Sequence, residues 1–322
     1  MNTAQRRRRR RSWLGALAVL AAVWLVVGTI RALDKPPRIA TLPGARVYYY
    51  LTPETHFARD QLKRSLEVTD EGILFHLGSA LVELRRPAKR WDAVVEPFLV
   101  TGELEELDQF TVDAGGVILV VRGASLLQVT GAGALAPVAP LPDSAMRVAP
   151  SREPGFVYLL SNRDFDRDDH GPDAGTTLTG SVFLLSDHDG GVRRVARLAS
   201  APVALSEGAD GYYLATDEGD LIQVLGARKR RVFSLPPAYP GSGGEFGLTP
   251  IESIAATDDP RLIFFSTRTT VYALLGGSAV PVTRNLGGTV RWRDGVLFVL
   301  DPDAGFLVGI GHLADALGLA SP

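Results

Sequence analysis

Beyond residue 60 the chain alternates between short apolar runs and tight turns rich in Gly or Asp. The runs consist mainly of Val, Ile, Leu, Phe and Tyr, which favour β-strands. Fully apolar strands need cover on both faces, as in sheets that stack face to face. Because the body shows no long stretch of helical periodicity, the pattern predicts an all-β fold.

One unit of this pattern recurs six times. The clearest copies read GILFHLGSALVEL, GVILVVRGASLLQV, GYYLATDEGDLIQV and GVLFVLDPDAGFLVGI. LIFFSTRTTVYALL is a fifth, and GFVYLLS…GSVFLLS is a sixth with an insertion at its turn. The leading positions, at intervals of 34 to 56 residues, are Gly72, Gly116, Gly155, Gly211, Arg261 and Gly295. A four-stranded propeller blade has about 40–50 residues.

The arrangement resembles a six-bladed β-propeller over about residues 64–312. The resemblance lies in architecture, since no Trp-Asp or kelch-type motif marks the repeats. It implies that the last repeat completes its sheet with Ala45 to Leu51, although FLVGIGHLADAL could supply that outer strand itself. The competing interpretations are a β-sandwich or two small β domains.

An uncharged apolar run from Trp13 to Ile30 follows the six arginines Arg6 to Arg11. Its 18 residues would rise about 27 Å as a helix, close to the roughly 30 Å core of a bilayer. Cationic flanks stay cytoplasmic, so we expect a single-pass membrane protein with a periplasmic body. The alternative is a cleaved signal peptide, although Val26-Val27-Gly28 is a poor cleavage site.

These features predict four segments along the chain. Residues 1-12 form a cytoplasmic basic segment, and residues 13-30 form a transmembrane signal-anchor helix. Residues 31-44 form a stalk that prolines stiffen, and residues 45-322 form the extracytoplasmic β-propeller.

Charge is distributed unevenly along the chain. Residues 1–35 carry +7 and the remainder −9, within a net charge of −2. An acidic body disfavours nucleic acid as a partner, because phosphates attract basic surfaces. The chain has no cysteine, which excludes disulfides and thiolate metal sites. Arg228 to Arg231 predict a tight turn at an outer edge, where charge discourages strand pairing.

Motifs for common cofactors and nucleophiles are missing from the sequence. The five histidines do not follow metal-ligand spacing, and no phosphate loop or nucleophile elbow occurs. His76 lies within an apolar strand, which predicts a packed side chain.

The insertion between GFVYLLS and GSVFLLS, in the third repeat along the chain, reads DFDRDDHGPD and is rich in carboxylates. Asp164, Asp166 and Asp168 alternate and Asp173 follows, which is similar to the calcium loops of integrin-type propellers. The similarity implies Ca²⁺ held by these four carboxylates, since calcium takes six to eight oxygens. The pattern departs where Asp169 replaces glycine and Asp173 stands one residue late. A solvated hairpin tip and direct contact with a basic partner remain alternatives.

A second long loop, PPAYPGSGGEFGLTP, spans residues 236–250. In a propeller, second-to-third-strand turns and blade crossovers open on one face, so this loop and the 163–180 insert should share that face. Long loops inside compact domains are often functional. We therefore predict a partner-binding surface that includes Asp169, His170, Tyr239 and Phe246.

Together these features predict a non-catalytic protein-binding scaffold subunit. It would bind a membrane protein or the subunits of a membrane complex, while Trp13–Ile30 holds it in the lipid bilayer. No cofactor is assigned except Ca²⁺ as a candidate. The alternative is a metal-dependent hydrolase resembling lactonase and strictosidine-synthase-like propellers. Its candidate acidic ligands are Glu67, Asp113, Glu252 and Asp294. An envelope assembly factor or sensor is a third interpretation.

Overall fold

The computed structural model describes residues 39–52, 61–86, 90–92, 96–141, 147–161, 180–186, 190–235 and 251–319. The chain divides into two compact units. Unit 1 comprises Met1–Asp108, Val129–Ala136 and Arg291–Pro322, and unit 2 comprises Gln109–Gln128 and Pro137–Val290.

Six four-stranded sheets, numbered here as blades 1 to 6, make up the fold. The chain begins with the strands β1 (Ala40–Thr41) and β2 (Arg46–Leu51). Blade 1 consists of β3 (Leu62–Val68), β4 (Gly72–Leu77), β5 (Ala80–Arg85) and β6 (Glu96–Thr101). Blade 2 consists of β7 (Gln109–Val112), β8 (Ile118–Arg122), β9 (Ser125–Val129) and β10 (Leu135–Pro140). Blade 3 consists of β11 (Arg147–Pro150), β12 (Phe156–Ser161), β13 (Gly180–Ser186) and β14 (Val192–Leu198).

The second half of the chain follows the same plan. Blade 4 consists of β15 (Pro202–Gly208), β16 (Gly211–Thr216), β17 (Asp220–Leu225) and β18 (Arg228–Ser234). Blade 5 consists of β19 (Ser253–Ala256), β20 (Leu262–Ser266), β21 (Val271–Leu275) and β22 (Ser278–Pro281). After β23 (Thr283–Arg284), blade 6 combines β2 with β24 (Thr289–Arg293), β25 (Val296–Asp301) and β26 (Phe306–Gly311). A single turn of helix, α1 (Leu313–Ala316), follows.

Blade 6 joins the two ends of the chain. Its strand order is β2-β26-β25-β24, and Val47 pairs with Ile310 in antiparallel register. The prediction that Ala45 to Leu51 supplies the fourth strand is therefore confirmed. The alternative, in which FLVGIGHLADAL supplies it, is wrong because the chain turns into α1 after β26. The sheets have the blade topology of a six-bladed β-propeller, which confirms the predicted fold class.

Glycines open the second strand where the backbone needs unusual freedom. Gly211 has φ of 118°, a region that side-chain-bearing residues rarely adopt. A Cβ atom at Gly211 would also lie 2.3 Å from the carbonyl oxygen of Val224. The repeated leading glycine therefore reflects a tight turn into the sheet.

Apolar faces of neighbouring blades pack against each other within each unit. In unit 2, Leu160 and Val182 of blade 3 share a core cluster with Leu214 and Val224 of blade 4. The other face of blade 4 contributes Tyr213 to a cluster with Phe265 of blade 5. In unit 1, blades 6 and 1 share a further cluster. Burial on both faces explains why the strands read as continuous apolar runs.

His76 is fully buried in β4, as its apolar neighbours in the sequence predict. Its Nε2 lies 3.0 Å from the carbonyl oxygen of Gly78, and its Nδ1 is buried without a hydrogen-bond partner. Burial lowers the pKa of His76 below its ordinary value, against the opposing influence of the Gly78 carbonyl and of Asp108. The imidazole is therefore neutral in the folded chain near neutral pH.

We predict that His76 makes the fold sensitive to acid. The unfolded chain binds a proton at His76 near pH 6.5, whereas the folded chain resists it. The stability that neutral His76 contributes is therefore complete above about pH 6.5 and is lost as the pH falls towards the lower folded pKa. Urea titrations in mild detergent should show that His76→Gln removes this part of the acid-induced fall in the free energy of unfolding.

The exposed His312 provides the control for this measurement. Asparagine tolerates the positive φ of that position, so His312→Asn controls for the removal of a histidine from the surface. An unchanged pH dependence in His76→Gln would contradict the prediction.

Candidate functional site

Most residues of the predicted partner surface lie outside the described residues. Residues 162–179, which include the predicted calcium ligands Asp164, Asp166, Asp168 and Asp173, belong to this group. The same holds for Asp169, His170, Tyr239 and Phe246, and for the predicted anchor Trp13–Ile30. What the structure describes is the framework from which both loops depart.

The strand ends that flank the two loops lie at one edge of unit 2. At the exit and re-entry of the first loop, Ser161 pairs with Ser181. A Cβ on the adjacent Gly180 would lie 2.2 Å from Cδ of Pro202, where blade 4 begins. Pro202 pairs with Thr216, so the end of β16 also lies at this edge.

The second loop departs from the same edge of blade 4. Asp220, at the start of β17, pairs with Ser234 at the end of β18, just before residues 236–250. Strand direction alone therefore places both loop attachments together. We call the edge defined by Ser161, Gly180, Pro202 and Ser234 the loop edge.

A short turn at residues 217–219 organises the loop edge. The backbone N–H of Ala201 donates to Oδ1 of Asp217 at 3.0 Å, which holds the entry into β15. The N–H of Leu235 donates to the carbonyl oxygen of Gly219 at 2.9 Å, which holds the exit from β18. Glu218, between them, is exposed. The exit of β18 into residues 236–250 is thus held by a hydrogen bond to a turn of the same sheet.

The opposite edge of unit 2 is joined by bonds between the turns of different blades. The N–H of Arg152 donates to Glu207 Oε2 at 2.7 Å, and its guanidinium donates to Asp258 Oδ1 at 3.0 Å. These contacts connect the first turn of blade 3 with the end of β15 in blade 4 and with the first turn of blade 5. Charged groups here hold the framework together.

Asp113, one of the four candidate acidic ligands, has the same structural role. It is buried, and its Oδ1 accepts the N–H of Val117 at 2.6 Å. Its Oδ2 accepts the N–H of Gly155 from blade 3 at 2.8 Å. Both oxygens therefore satisfy backbone donors.

Glu67, a second candidate, is engaged by an arginine of unit 1. The Nε and Nη2 groups of Arg291 donate to Oε2 and Oε1 of Glu67 at 2.9 and 3.0 Å. Burial alone would lower the pKa of Arg291, but the charge and hydrogen bonds of Glu67 outweigh it and hold that pKa above its usual value. Arg291 and Glu67 thus form a bidentate ion pair between the first strands of blades 6 and 1.

The remaining candidates occupy different positions. Asp294 lies in the β24–β25 turn and is half exposed, and Arg86 Nη1 donates to it at 2.6 Å. Glu252 precedes β19, where its N–H donates to the carbonyl oxygen of Ser266 at 2.8 Å. Across the described ranges, no group of three or more His, Asp or Glu side chains could hold a metal ion.

The prediction of a tight turn at Arg228 to Arg231 is wrong. Arg228 to Arg231 do not form a tight turn; they begin the outermost strand β18, and Gly226 and Ala227 make the turn. The error arose because four adjacent cations hide the period of two that marks a strand. β14 beside them carries three further arginines. The sequence signal for this cation-rich surface is the high density of arginine and lysine in the last strand of two consecutive repeats.

Within the described part of the chain, no helix is both long and apolar enough to cross a bilayer. The predicted anchor lies outside that part, so it stays a prediction.

Comparison with known proteins supports the fold class. No protein-family model matches the chain, and no curated protein matches it. A gluconolactonase from Xanthomonas campestris matches with a TM-score of 0.56 at 14% identity, over 86% of this chain and 94% of that chain. Virginiamycin B lyase from Staphylococcus aureus matches with a TM-score of 0.55 at 10% identity, over 83% and 99%. Regucalcin, a calcium-binding protein from Agrobacterium tumefaciens, matches with a TM-score of 0.51 at 13% identity, over 87% and 96%. The likeness at these identities shows the fold, a six-bladed β-propeller.

We predict that the Glu67–Arg291 pair stabilises unit 1. Arg291→Met should lower the free energy of unfolding by about 3 kcal/mol, because it leaves a buried carboxylate without its cation. The double variant Glu67→Leu/Arg291→Met should recover most of that loss, because neither charge then remains buried. Urea titrations of the four members of this cycle measure the coupling.

Arg293, two residues along the same strand, is the matched control. It pairs with Asp70 at an exposed position, so Arg293→Met should cost less than about 1 kcal/mol. Equal losses for Arg291→Met and Arg293→Met would show that Glu67 is not held by Arg291. Glu67 would then again be a candidate ligand.

Proposed function

We propose that this chain is a membrane-anchored, extracytoplasmic recognition module. It binds another membrane protein through the loop edge and acts as a non-catalytic scaffold subunit of a membrane complex. The residues N-terminal to the propeller hold it in the bilayer with Met1 on the cytoplasmic side.

The observation that carries the proposal is the common edge from which two long loops leave unit 2. Both attachments are held by sheet pairing, and the exit from β18 is also held by the N–H of Leu235 on the 217–219 turn. Recognition surfaces are often built in this way, with variable loops on a rigid scaffold. The opposite edge differs, because its turns are joined to each other by Arg152 and Asp113.

The candidate acidic ligands give further support. Both oxygens of Glu67 accept hydrogen bonds from Arg291, and both oxygens of Asp113 accept backbone N–H groups. A carboxylate already satisfied in this way must break those bonds before it can bind a metal ion. These residues therefore serve the framework better than they would serve a reaction.

A membrane tether suits a recognition module. The Arg-rich start and the apolar run Trp13–Ile30 have the length and charge pattern of a signal anchor. Tethering confines the propeller to a thin layer above the bilayer and raises its effective concentration near membrane partners.

The proposal predicts contact with a partner at the loop edge. Because the chain has no cysteine, Glu218→Cys introduces a single thiol there, and Ala209→Cys introduces one in the exposed turn at the opposite edge of the same blade. A short thiol-directed crosslinker in native membranes should give an adduct of one discrete mass from position 218 and little from position 209.

Replacement of residues 162–179 tests the role of the first loop. Asp-Glu, which with Gly180 completes a three-residue turn like Asp-Glu-Gly at 217–219 of blade 4, should join Ser161 to Ser181 in their existing register and leave the melting temperature nearly unchanged. The adduct from position 218 should disappear. Equal adducts at both positions, or an adduct that survives the replacement, would contradict the proposal. Extraction of the chain by alkaline carbonate would separately contradict the membrane anchor.

A metal-dependent hydrolase is the second candidate function. One observation favours it: the matching solved structures include a gluconolactonase and a calcium-binding regucalcin. The insert offers Asp164, Asp166, Asp168 and Asp173 as calcium ligands. Tyr158 is a poor base or nucleophile for such a reaction, because burial, and then the nearby charge of Glu207, raise its pKa to about 12.

An assay of lactone and ester hydrolysis by the full chain distinguishes the two functions. The recognition module should show no turnover above background with or without added Ca²⁺. Turnover that requires Ca²⁺ and is lost in Asp164→Ala/Asp166→Ala/Asp168→Ala would establish the hydrolase. The Glu153→Gln variant, in an exposed turn at the opposite edge, is the control for a general loss of folding.

A further inference from the structure

Two neighbouring outer strands of unit 2 carry an unusual concentration of positive charge. β14 reads VRRVARL and β18 reads RKRRVFS. Together they expose seven cations, namely Arg193, Arg194, Arg197, Arg228, Lys229, Arg230 and Arg231. These are seven of the 26 Lys and Arg residues beyond residue 35, in a body whose net charge is −9. We call this surface the basic rim.

The basic rim is continuous across blades 3 and 4. Lys229 Nζ of blade 4 donates to the carbonyl oxygen of Arg197 in blade 3. A side chain of β18 is therefore in direct contact with the backbone of β14. Arg230 donates to the neutral amide oxygen of Gln223 at 2.8 Å, which leaves its charge uncompensated by that contact. Arg231 forms an ion pair with Asp220 at 3.3 Å.

Protection of a sheet edge does not account for this charge. The outermost strands of the other blades are β2, β6, β10 and β22, which read RVYYYL, EPFLVT, LAPVAP and SAVP. Prolines discourage edge pairing in the last three. Charges of either sign would serve that purpose equally well on β14 and β18. Seven cations and no anion on two adjacent strands indicate attraction to a negative surface.

Apolar side chains lie at the end of the same two hairpins. Among the described residues, four large apolar side chains are substantially exposed, and two of them are Val192 and Leu225 at 40% and 42%. Val192 directly precedes Arg193, and Leu225 pairs with Arg228 across the β17–β18 turn. Cations flanking exposed apolar tips are typical of surfaces that lie against the headgroup region of a bilayer.

We propose that the basic rim docks the propeller onto an anionic phospholipid surface. Arginine and lysine contact lipid phosphates, and Val192 and Leu225 enter the headgroup region. The inference rests on the proposed membrane anchor, because the anchor keeps the body within reach of the bilayer. Docking by one corner of unit 2 would restrict the orientation of the tethered body.

A bilayer fits the basic rim better than a soluble polyanion. Nucleic acid and anionic polysaccharide need cations for their phosphate or sulfate groups, but they gain little from exposed aliphatic tips. The remainder of the body is acidic and is repelled by anionic lipid, so the rim is the surface that can approach it. These two properties select an anionic membrane.

The test uses the full chain reconstituted into vesicles through its own N-terminal segment. A fluorophore is attached to Ala227→Cys, in the exposed β17–β18 turn. Quencher-labelled lipid headgroups quench its fluorescence when that turn lies close to the bilayer. Ser278→Cys, at the matching third-to-fourth-strand hairpin of blade 5, is the control, because its strand carries no charge. Vesicles of phosphatidylcholine with about 30% phosphatidylglycerol are compared with phosphatidylcholine alone.

We expect quenching at position 227 in the anionic vesicles, little in the neutral vesicles, and little at position 278 in either. Arg193→Gln/Arg228→Gln should lower the ratio of docked to undocked chains by roughly 30-fold, about five-fold for each cation. The matched double variant Arg46→Gln/Arg284→Gln, which removes two exposed cations elsewhere, should change it less than two-fold, that is by about the ordinary scatter of surface substitutions.

Three outcomes would overturn the proposal. The first is equal quenching at 227 and 278, and the second is equal quenching in neutral and anionic vesicles. The third is a probe response to free heparin or an oligonucleotide that exceeds its response to anionic vesicles, which would assign the basic rim to a soluble polyanion. Resistance of the reconstituted chain to carbonate extraction is measured in parallel. Its loss would count against the membrane anchor and so separates that failure from a failure of the rim.

Discussion

The structure depends on the need to cover both faces of every apolar sheet. The second strands, such as GILFHL and LIFFS, are buried along their whole length. A single four-stranded sheet of this kind would expose two apolar faces to water, at about 25 cal/mol for each Å². Blade 4 is covered on both faces, because Leu214 packs against blade 3 and Tyr213 packs against blade 5. Repetition of one hairpin pattern thus requires neighbours on both sides.

This constraint separates the parts of the chain that maintain the fold from those that can vary. Residues between blades are fixed by packing, and buried polar groups are fixed by specific partners, as in the Glu67–Arg291 pair. The loop edge and the outermost strands face fewer demands. Long loops and clustered cations can occur there without disturbing a core, which is why both functional proposals concern these surfaces.

The two proposals describe different tasks for one tethered body. A loop edge that contacts a protein partner is more effective if the body is held in one orientation above the bilayer. In the proposed docking, the basic rim would supply such a restraint, since its cations lie on the outer strands of blades 3 and 4, the same blades whose strand ends define the loop edge. Orientation reduces the rotational freedom that binding would otherwise remove.

The sequence by itself predicted most of the strands and the number of repeats, and it offered Ala45 to Leu51 as one of two candidates for the last strand. These follow from short-range rules: apolar runs, turn glycines, and a final repeat with three strands that lacks a fourth. The pairing of Val47 with Ile310 decided between the two candidates. The sequence also placed His76 in the core. Only the tertiary structure decided that Glu67 pairs with Arg291, 224 residues away, and that Asp113 holds the turn of another blade. It likewise showed that Arg228 to Arg231 form a strand beside the arginines of β14. A sequence records which residues have polar or charged groups, but the partner of each group depends on which strands the folded sheets bring together.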